Sequence, residues 1–378
     1  MSRLQVGPIK DFVLGIFDGP HATPKESDEG PIFLGIKNVT PQGTIDLSEI
    51  RHVSEEEYPR WTKRVVPCED DVVFSYEATL HRYAVIPQGF RGCLGRRMAL
   101  VRPDQKKVNP RFLHYYFLTP AWRAIIESNI ISGATVDRIP LTRFPDFEVR
   151  LPQLRDQKSI VSILSAYDDL IENNRRRIAL LEQTARLLYK EWFVHLRFPG
   201  HEHTKIKNGV PEGWDKKPLG EIAPLNYGKA LKKDNRTDGP IPVYGSSGVV
   251  GTHSKALIPG PTIIVGRKGN VGSVYWSLGD CFPIDTVYYI NTTNSTFYLY
   301  YALQNMSFIS TDVAVPGLNR NFAHSRLISV PEKKIGQLFE DEVATLHQQM
   351  DVLKKANAAL GEARDLLLPR LMNGEVTV

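Results

Sequence analysis

The chain has 378 residues, 42% hydrophobic and 24% charged, with a formal net charge of +5. That length suits two or three domains, and the apolar content excludes the low-hydrophobicity, high-charge composition of a disordered chain. With no run of about 18 apolar residues and no basic-then-apolar leader pattern in MSRLQVGPIKDF, the sequence reads as neither membrane-spanning nor secreted, and a cytoplasmic location is expected. Cys68, Cys93 and Cys281 lie too far apart for a Cys-x-x-Cys knuckle or a disulfide framework.

In chain order, Pro8-Ile9-Lys10-Asp11-Phe12 opens a first module, and the apolar run Asp71-Val72-Val73-Phe74 predicts a strand entering a turn. A basic block follows, Arg82, Arg91, Arg96, Arg97, Arg102, Lys106, Lys107 and Arg111, opposed in sequence only by Asp104. Such a cluster suits a polyanion. Phe112-Leu113-His114-Tyr115-Tyr116 predicts a short aromatic helix. No proline or glycine interrupts the helical pattern over 158–195, and Pro199-Gly200 ends it. Then the order starts again. Pro218-Leu219-Gly220-Glu221-Ile222 matches residues 8–12, and Thr262-Ile263-Ile264-Val265 matches 71–74. Cys281 matches Cys93, and Phe297-Tyr298-Leu299-Tyr300-Tyr301 matches 112–116. Gly317 matches Gly133, and Val330-Pro331 matches Leu151-Pro152. One α/β module of roughly 135–150 residues therefore occurs twice, each copy followed by a long helix. By segment, residues 1–153 carry +1, 154–196 +1, 197–331 +5 and 332–378 −2.

The two helices carry heptad seams. The first runs Ile160, Leu164, Tyr167, Ile171, Asn174, Ile178, Leu181, Ala185, Leu188, Trp192. The second runs Phe339, Val343, Leu346, Met350, Leu353, Asn357, Leu360, Arg364, Leu367, Leu371. Steps of four and three alternate throughout, the pattern of a coiled coil. At 1.5 Å per residue each seam spans on the order of 50 Å. Two module–helix repeats that close head to tail place the helices antiparallel. A register with Asn174 facing Asn357 also pairs Ile160 with Leu371, Ile178 with Leu353 and Trp192 with Phe339. An unpaired seam asparagine costs about 1–3 kcal/mol, so the Asn pair would fix that register. The fold class expected is α+β: two α/β domains, 1–153 and 197–331, related by pseudo-two-fold symmetry and joined by two long antiparallel coiled-coil helices, 154–196 and 332–378. The alternative is that each amphipathic helix lies on its own module.

Catalytic signatures are absent. There is no Asn-Pro-Pro-aromatic or Asp-Pro-Pro-Tyr loop, no Gly-x-Gly-x-x-Gly after a strand and no Gly-x-Ser-x-Gly elbow. His201-Glu202-His203 lacks a third ligand nearby and reads as a solvated loop, so no metal site is expected. Asp146, Glu148 and Arg150 read as the polar face of a strand. What recurs instead is recognition chemistry. GRKGNVGSVYW at 266–276 sets Arg267, Lys268 and Asn270 on a glycine-rich turn, where Arg and Asn side chains can bond guanine or adenine edges. VYGSSGVVG at 243–251 offers Tyr244, Ser246 and Ser247, and GLNRNF at 317–322 offers Asn319, Arg320 and Asn321. Lys229, Lys232 and Lys233 add charge to the same module. In the first module Tyr76 to Arg82, including His81, and the 133–138 stretch ending in Arg138 occupy the matching places, and Arg96 and Arg97 of the basic block are further candidate contacts.

With these features in place, the whole chain resembles the specificity subunit of type I restriction–modification enzymes. LPQLRDQKSIVSILSAYDDLIENNRRRIALLEQTARLLYKEWF at 151–193 looks like that family's central conserved region, and LLLPRLMNGEV at 366–376 like its C-terminal ending. IPVYGSSGVVG, IIVGRKGNVGSV and FPIDTVYYI look like one common target-recognition domain. FDGPHATP at 17–24, which contributes His21 and Thr23 beside Lys25, and FLGIKNV at 33–39 resemble the start of another. The resemblance implies that 1–153 and 197–331 are target-recognition domains, each reading half of a bipartite, asymmetric DNA site, and that the helices set the gap between the halves. It implies two modification subunits docked on the helices, with Trp192 and Phe193 as docking candidates, or alternatively as caps against the next module. It also implies restriction subunits. S-adenosylmethionine, ATP and Mg would belong to those partners, none to this non-catalytic chain.

The modules differ where they should contact DNA. GRKGNVG in the second corresponds to SYEATLH at 75–81 in the first, without glycine and with Glu77, a carboxylate that could accept from a cytosine amine but would repel phosphate. Different half-sites are expected. Two rival functions remain open at this level: the specificity subunit of a type II-like methylase–nuclease system, and a coiled-coil protein adaptor.

Overall fold

The computed structural model describes residues 4–25, 27–132, 136–308 and 317–376. Gly133, Ala134 and Thr135 of the first module's last predicted loop lie outside them. The chain divides into two compact units, Met1–Asn173 with Ala356–Val378, and Asn174–Lys355. Each unit therefore holds one module and half of each long helix, rather than the helices standing as separate domains.

Unit 1 contains β1 (Gln5–Pro8), β2 (Val13–Asp18), β3 (Ser27–Leu34), β4 (Val72–Ser75), β5 (Tyr83–Val85), β6 (Gly92–Leu94), β7 (Met98–Pro103), α1 (Pro110–Phe117), α2 (Pro120–Glu127), β8 (Glu148–Leu151) and the start of α3 (Leu154–Tyr189). Unit 2 contains β9 (Asp215–Pro218), β10 (Asn226–Tyr227), β11 (Ile241–Gly245), β12 (Gly248–His253), β13 (Thr262–Gly266), β14 (Val274–Ser277), β15 (Phe282–Pro283), β16 (Val287–Ile290), α4 (Phe297–Gln304), α5 (Arg320–Ser325), β17 (Leu327–Val330) and the start of α6 (Lys333–Met372).

The topologies repeat. Antiparallel sheets run β2–β7–β4–β5 in unit 1 and β10–β16–β13–β14 in unit 2. A parallel pair accompanies each, β3 with β6 and β11 with β15. Antiparallel β1–β8 and β9–β17 close each module onto its long helix. The motif matches of the sequence fall on equivalent elements with two exceptions: Cys93 lies within β6 at the place of Phe282, one residue beyond Cys281, and the match of Gly133 with Gly317 is treated below.

Strand composition explains the layering. In β4, Val72 and Phe74 point into the main core with α1, α2, Ile160, Leu164, Leu368 and Leu371, while Val73 points the other way against Leu34, Leu94 and Leu100. This is the two-residue period of a strand buried on both faces. In β13, Ile263 and Val265 face α4, Ala185, Tyr189, Phe339 and Val343, while Ile264 faces Tyr244, Cys281 and Val287. Cys93 and Cys281 are both buried, and burial pushes their thiols up to about 12 and about 11.

Every seam position of α3 and α6 is buried or half-buried. In unit 1, Ile160 and Leu164 share a core with Leu368 and Leu371, Arg364 reaches Asp168, and Asn357 Nδ2 donates to the Ile171 carbonyl at 3.3 Å. In unit 2, Trp192 meets Phe339 with ring centroids 5.8 Å apart. Partner numbers rise along one helix as they fall along the other, so the helix segments are antiparallel within each unit. Among the described residues no helix is long and apolar enough to cross a membrane.

Buried polar groups fasten the modules to the helices. Gln157 of α3 accepts from the Asn109 N–H at 2.8 Å, and Asn109 caps α1. Glu340 of α6 accepts from Phe297 and Tyr298 at 2.9 and 2.7 Å, filling the open donors at the start of α4. Two histidines share this setting. His114 is buried in α1, and burial holds it down to about 4. His347 lies 4.2 Å from the Phe297 ring, its Nε2 2.8 Å from the Tyr301 hydroxyl, and burial holds it likewise to about 4. A histidine lowered from 6.5 in the unfolded chain contributes stability that is complete above pH 6.5 and drains as pH falls toward 4. Each unit is expected to lose about 2 kcal/mol between pH 8 and pH 5. Urea unfolding at both pH values should show it, and His347→Gln should flatten the dependence of unit 2 alone.

Candidate nucleic-acid interface

In unit 2 three loops meet where β13 ends. The Leu318 N–H donates to the Arg267 carbonyl at 2.8 Å, and Lys268 bridges to Gly317. Ser273 Oγ donates to the Ser246 carbonyl at 2.7 Å. Gly269 and Gly272 adopt φ of 77° and 79°, left-handed values that favour glycine. The scaffold brings Ser246, Ser247, Arg267, Lys268, Asn270, Arg320 and Asn321 together, as the sequence predicts. Arg267 and Arg320 both stack on the ring of Tyr227 at the end of β10, 5.0 and 5.1 Å from its centroid. Arg267 also donates to the Asp285 carbonyl at 3.1 Å. Tyr227 is half exposed. Among the described residues no carboxylate pairs with Arg267, Lys268 or Arg320, and Lys229, Lys232 and Lys233 are exposed and unpaired along the chain that follows Tyr227. Cations held in place without acidic partners form a site for an anion.

Unit 1 repeats the backbone of this site. Tyr76 N–H donates to the Arg97 carbonyl at 3.1 Å, as Arg267 donates to Thr286 at 2.9 Å; Ile139 donates to Tyr76 at 2.7 Å, as Leu318 donates to Arg267. Glu77 bridges to Arg138 where Lys268 bridges to Gly317. Arg138 is thus the counterpart of Gly317, in place of Gly133. Ala78 and His81 adopt φ of 70° and 61° at the places of Gly269 and Gly272. The missing glycines therefore leave the fold of the loop unchanged, at about 1 kcal/mol of strain per residue. Asp18, which pairs with Ala99 as Tyr227 pairs with Tyr288, stands at the place of Tyr227.

Several predicted contacts have other tasks. Tyr76 and Tyr244 are buried. The Tyr76 hydroxyl is 3.3 Å from His21 Nδ1, and burial pushes the phenol up to about 12. Tyr244 packs on Ile258, Ile264 and Cys281. Asn319 caps α5, its Oδ1 accepting from Asn321 and Phe322 at 2.8 and 3.1 Å. Trp192 and Phe193 pack inside unit 2, where Phe193 lies 4.9 Å from Phe339, 4.7 Å from Tyr298 and 5.6 Å from Trp214. Phe193 is buried and Trp192 half-buried, so the pair caps the helix against its module, the second of the two readings. Here the helix widens into a π-turn, the His195 N–H donating to the Lys190 carbonyl at 2.8 Å.

Three arginines of the basic block in the first module are neutralised by distant acids. Arg91 pairs with Glu55, Arg97 with Glu77 at 3.0 Å, and Arg102 makes a two-pronged contact at 2.8 and 2.7 Å with Asp71, whose side chain is buried. His81 is half-buried near Glu127 at 3.8 Å, with burial lowering its pKa, and Arg82 is also half-buried. Arg96, Arg138, His21, Thr23 and Lys25 remain exposed.

The chain is 22% identical to the type I restriction enzyme MjaIX specificity subunit of Methanocaldococcus jannaschii, over 98% of this chain and 89% of that one. It is 24% identical to the HindI specificity subunit of Haemophilus influenzae, over 74% and 80%. The type I restriction–modification S subunit from M. genitalium superposes with a TM-score of 0.54 at 17% identity, covering 98% of this chain and 96% of that one, and so shares its fold. The family described as "type I restriction modification DNA specificity domain" matches twice, at residues 32–183 and 211–360, and the chain belongs to that family.

Proposed function

We propose that the chain is the non-catalytic DNA-reading subunit of a type I restriction–modification complex, each unit reading one half of a bipartite, asymmetric site while α3 and α6 set the gap. The observation that carries this reading is the unneutralised Arg267–Lys268–Arg320 group on a loop scaffold that recurs in unit 1. Phosphate contacts would supply affinity, and loop side chains about 1–3 kcal/mol of discrimination per base pair. Modification subunits would bring S-adenosylmethionine, and restriction subunits ATP and Mg. The test is co-expression with a modification subunit followed by single-base mapping of DNA methylation. A split motif with a fixed gap is expected, and exchange of residues 197–331 for another module should alter one half only. A contiguous motif would defeat the two-headed reading. A stable complex without methylation would favour a protein adaptor.

Docking of the modification subunits falls on a different surface from Trp192 and Phe193. Leu180 and Leu187 stand seven residues apart on the side of α3 away from its seam, and are 62% and 51% exposed. On α6, Leu338 and Val352 occupy the same heptad place. A regular exposed apolar stripe on a charged helix marks a protein contact. Leu180→Glu with Leu187→Glu is expected to weaken association by at least about 100-fold, since burial of each leucine is worth about 1.5–3 kcal/mol. The melting temperature should not move. Co-purification and calorimetric titration read the two effects separately.

A further inference from the structure

The two units present one backbone with inverted chemistry. At matched places unit 2 carries Tyr227, Arg267 and Lys268, and unit 1 carries Asp18, Tyr76 and Glu77. Behind the loop the inversion continues, because Arg96 and Arg97 stand where unit 2 has Asp285 and Thr286, as the bonds Tyr76 N–H to Arg97 carbonyl and Arg267 N–H to Thr286 carbonyl show. The loop is also strained in unit 1 alone: Ala78, His81 and Arg97 all hold left-handed φ, at 70°, 61° and 71°. Strain kept at three non-glycine residues around one side chain is the mark of a position held for use rather than for stability.

That side chain is Glu77. Its Oε1 lies 3.0 Å from Arg97 Nε, and its side chain is 22% exposed. The arginine holds the carboxylate by charge, its Nε–H making no hydrogen bond among the described residues, so the carboxylate keeps its acceptor positions for a second partner. A carboxylate at the tip of a DNA-facing loop is repelled by phosphate; what it can accept from is an amino group on a base edge, and in the major groove only cytosine N4 and adenine N6 offer one. Resting on the DNA-reading function proposed above, we propose that Glu77 is the specificity-determining residue of unit 1, accepting a hydrogen bond from the exocyclic amino group of a base, where the matching loop of unit 2 reads with cations. Arg96, exposed on the neighbouring hairpin, is left to meet the backbone.

The experiment is selection of bound duplexes from a randomised DNA library by the full chain, comparing wild type, Glu77→Gln and Glu77→Asp. Wild type should enrich two half-motifs, with cytosine at the Glu77-dependent position, because the N7 acceptor beside adenine N6 repels a carboxylate. Glu77→Gln, whose amide can accept from adenine N6 and donate to N7, should shift the preference from cytosine toward adenine at least about tenfold at one position of one half and leave the other half intact. Glu77→Asp should keep the same base with weaker enrichment. If wild type enriches no motif, the DNA-reading function itself falls. If wild type enriches both halves and Glu77→Gln changes neither, Glu77 only positions Arg97 and the proposal is overturned. Thermal melting shows whether Glu77→Gln is folded. Should it unfold unit 1, Glu77→Asp decides alone: the same base at reduced enrichment supports the proposal, and an unchanged or different preference overturns it.

Discussion

Asp168→Ala is expected to destabilise unit 1 by about 3 kcal/mol, far more than removal of its cationic partner. Asp168 accepts from Arg364 at 2.5 Å on one oxygen and from the Tyr115 hydroxyl on the other, so a single carboxylate joins α3, α6 and α1. Arg364 occupies a seam position and its side chain is only 14% exposed. Without Asp168 it keeps a single acid, Asp365, on its own helix, and the Tyr115 hydroxyl loses its acceptor. Burial first, and the Asp168 charge after it, push the Tyr115 phenol up, so that it remains a donor across the neutral range. Arg364→Leu acts differently. It places an apolar residue in an apolar seam and leaves Asp168, which is 36% exposed, free to hydrate. That change should cost no more than about 1 kcal/mol. The combined variant Asp168→Ala, Arg364→Leu, Tyr115→Phe should lie near wild type, because all three partners leave together. Urea unfolding followed by circular dichroism measures the order. Losses of no more than about 1 kcal/mol in both single variants would show that the group is a surface ion pair of no structural consequence.

How much of this was legible in the sequence depends on the range of the signal. The repeat was legible because Val72-Val73-Phe74 and Ile263-Ile264-Val265, and the aromatic helices after them, must be buried wherever they occur. The seams were legible for the same reason. Charge partnerships were not. Arg91, Arg97 and Arg102 of the 82–111 block read as free because Glu55, Glu77 and Asp71 reach them only across the fold. The loop 75–81 looked unlike 266–272 because glycine marks a left-handed turn, and Ala78 and His81 make that turn without it. Trp192 and Phe193 were open to two readings, docking surface or cap, and large rings at the end of a seam find their burial at the nearest module. Tyr227 escaped notice altogether. A lone exposed aromatic has no periodicity; the available signal was its place before Gly228 and Lys229, matching Asp18 before Gly19.

Tyr227 is where the second large effect is expected. Two guanidiniums share one exposed ring, and each stack is worth about 0.5–1 kcal/mol while also reducing the freedom each arginine must surrender on binding. Tyr227→Ala should therefore weaken DNA binding about tenfold. It removes no charge, so the number of counterions released, and with it the slope of log K against log salt, should stay as in wild type. Arg267→Ala with Arg320→Ala should weaken binding more and make the slope shallower by as much as about 2, one for each phosphate left without its guanidinium. Tyr227→Phe keeps the ring and should restore wild-type affinity. Fluorescence titrations of the full chain with its DNA site at several salt concentrations measure both quantities. A slope that falls with Tyr227→Ala would mean that the tyrosine holds the arginines on phosphate and nowhere else. Affinity unchanged in Tyr227→Ala would show that the stack contributes nothing to binding. An unaltered slope in the double arginine variant, with affinity lost, would assign both guanidiniums to base edges instead of the backbone.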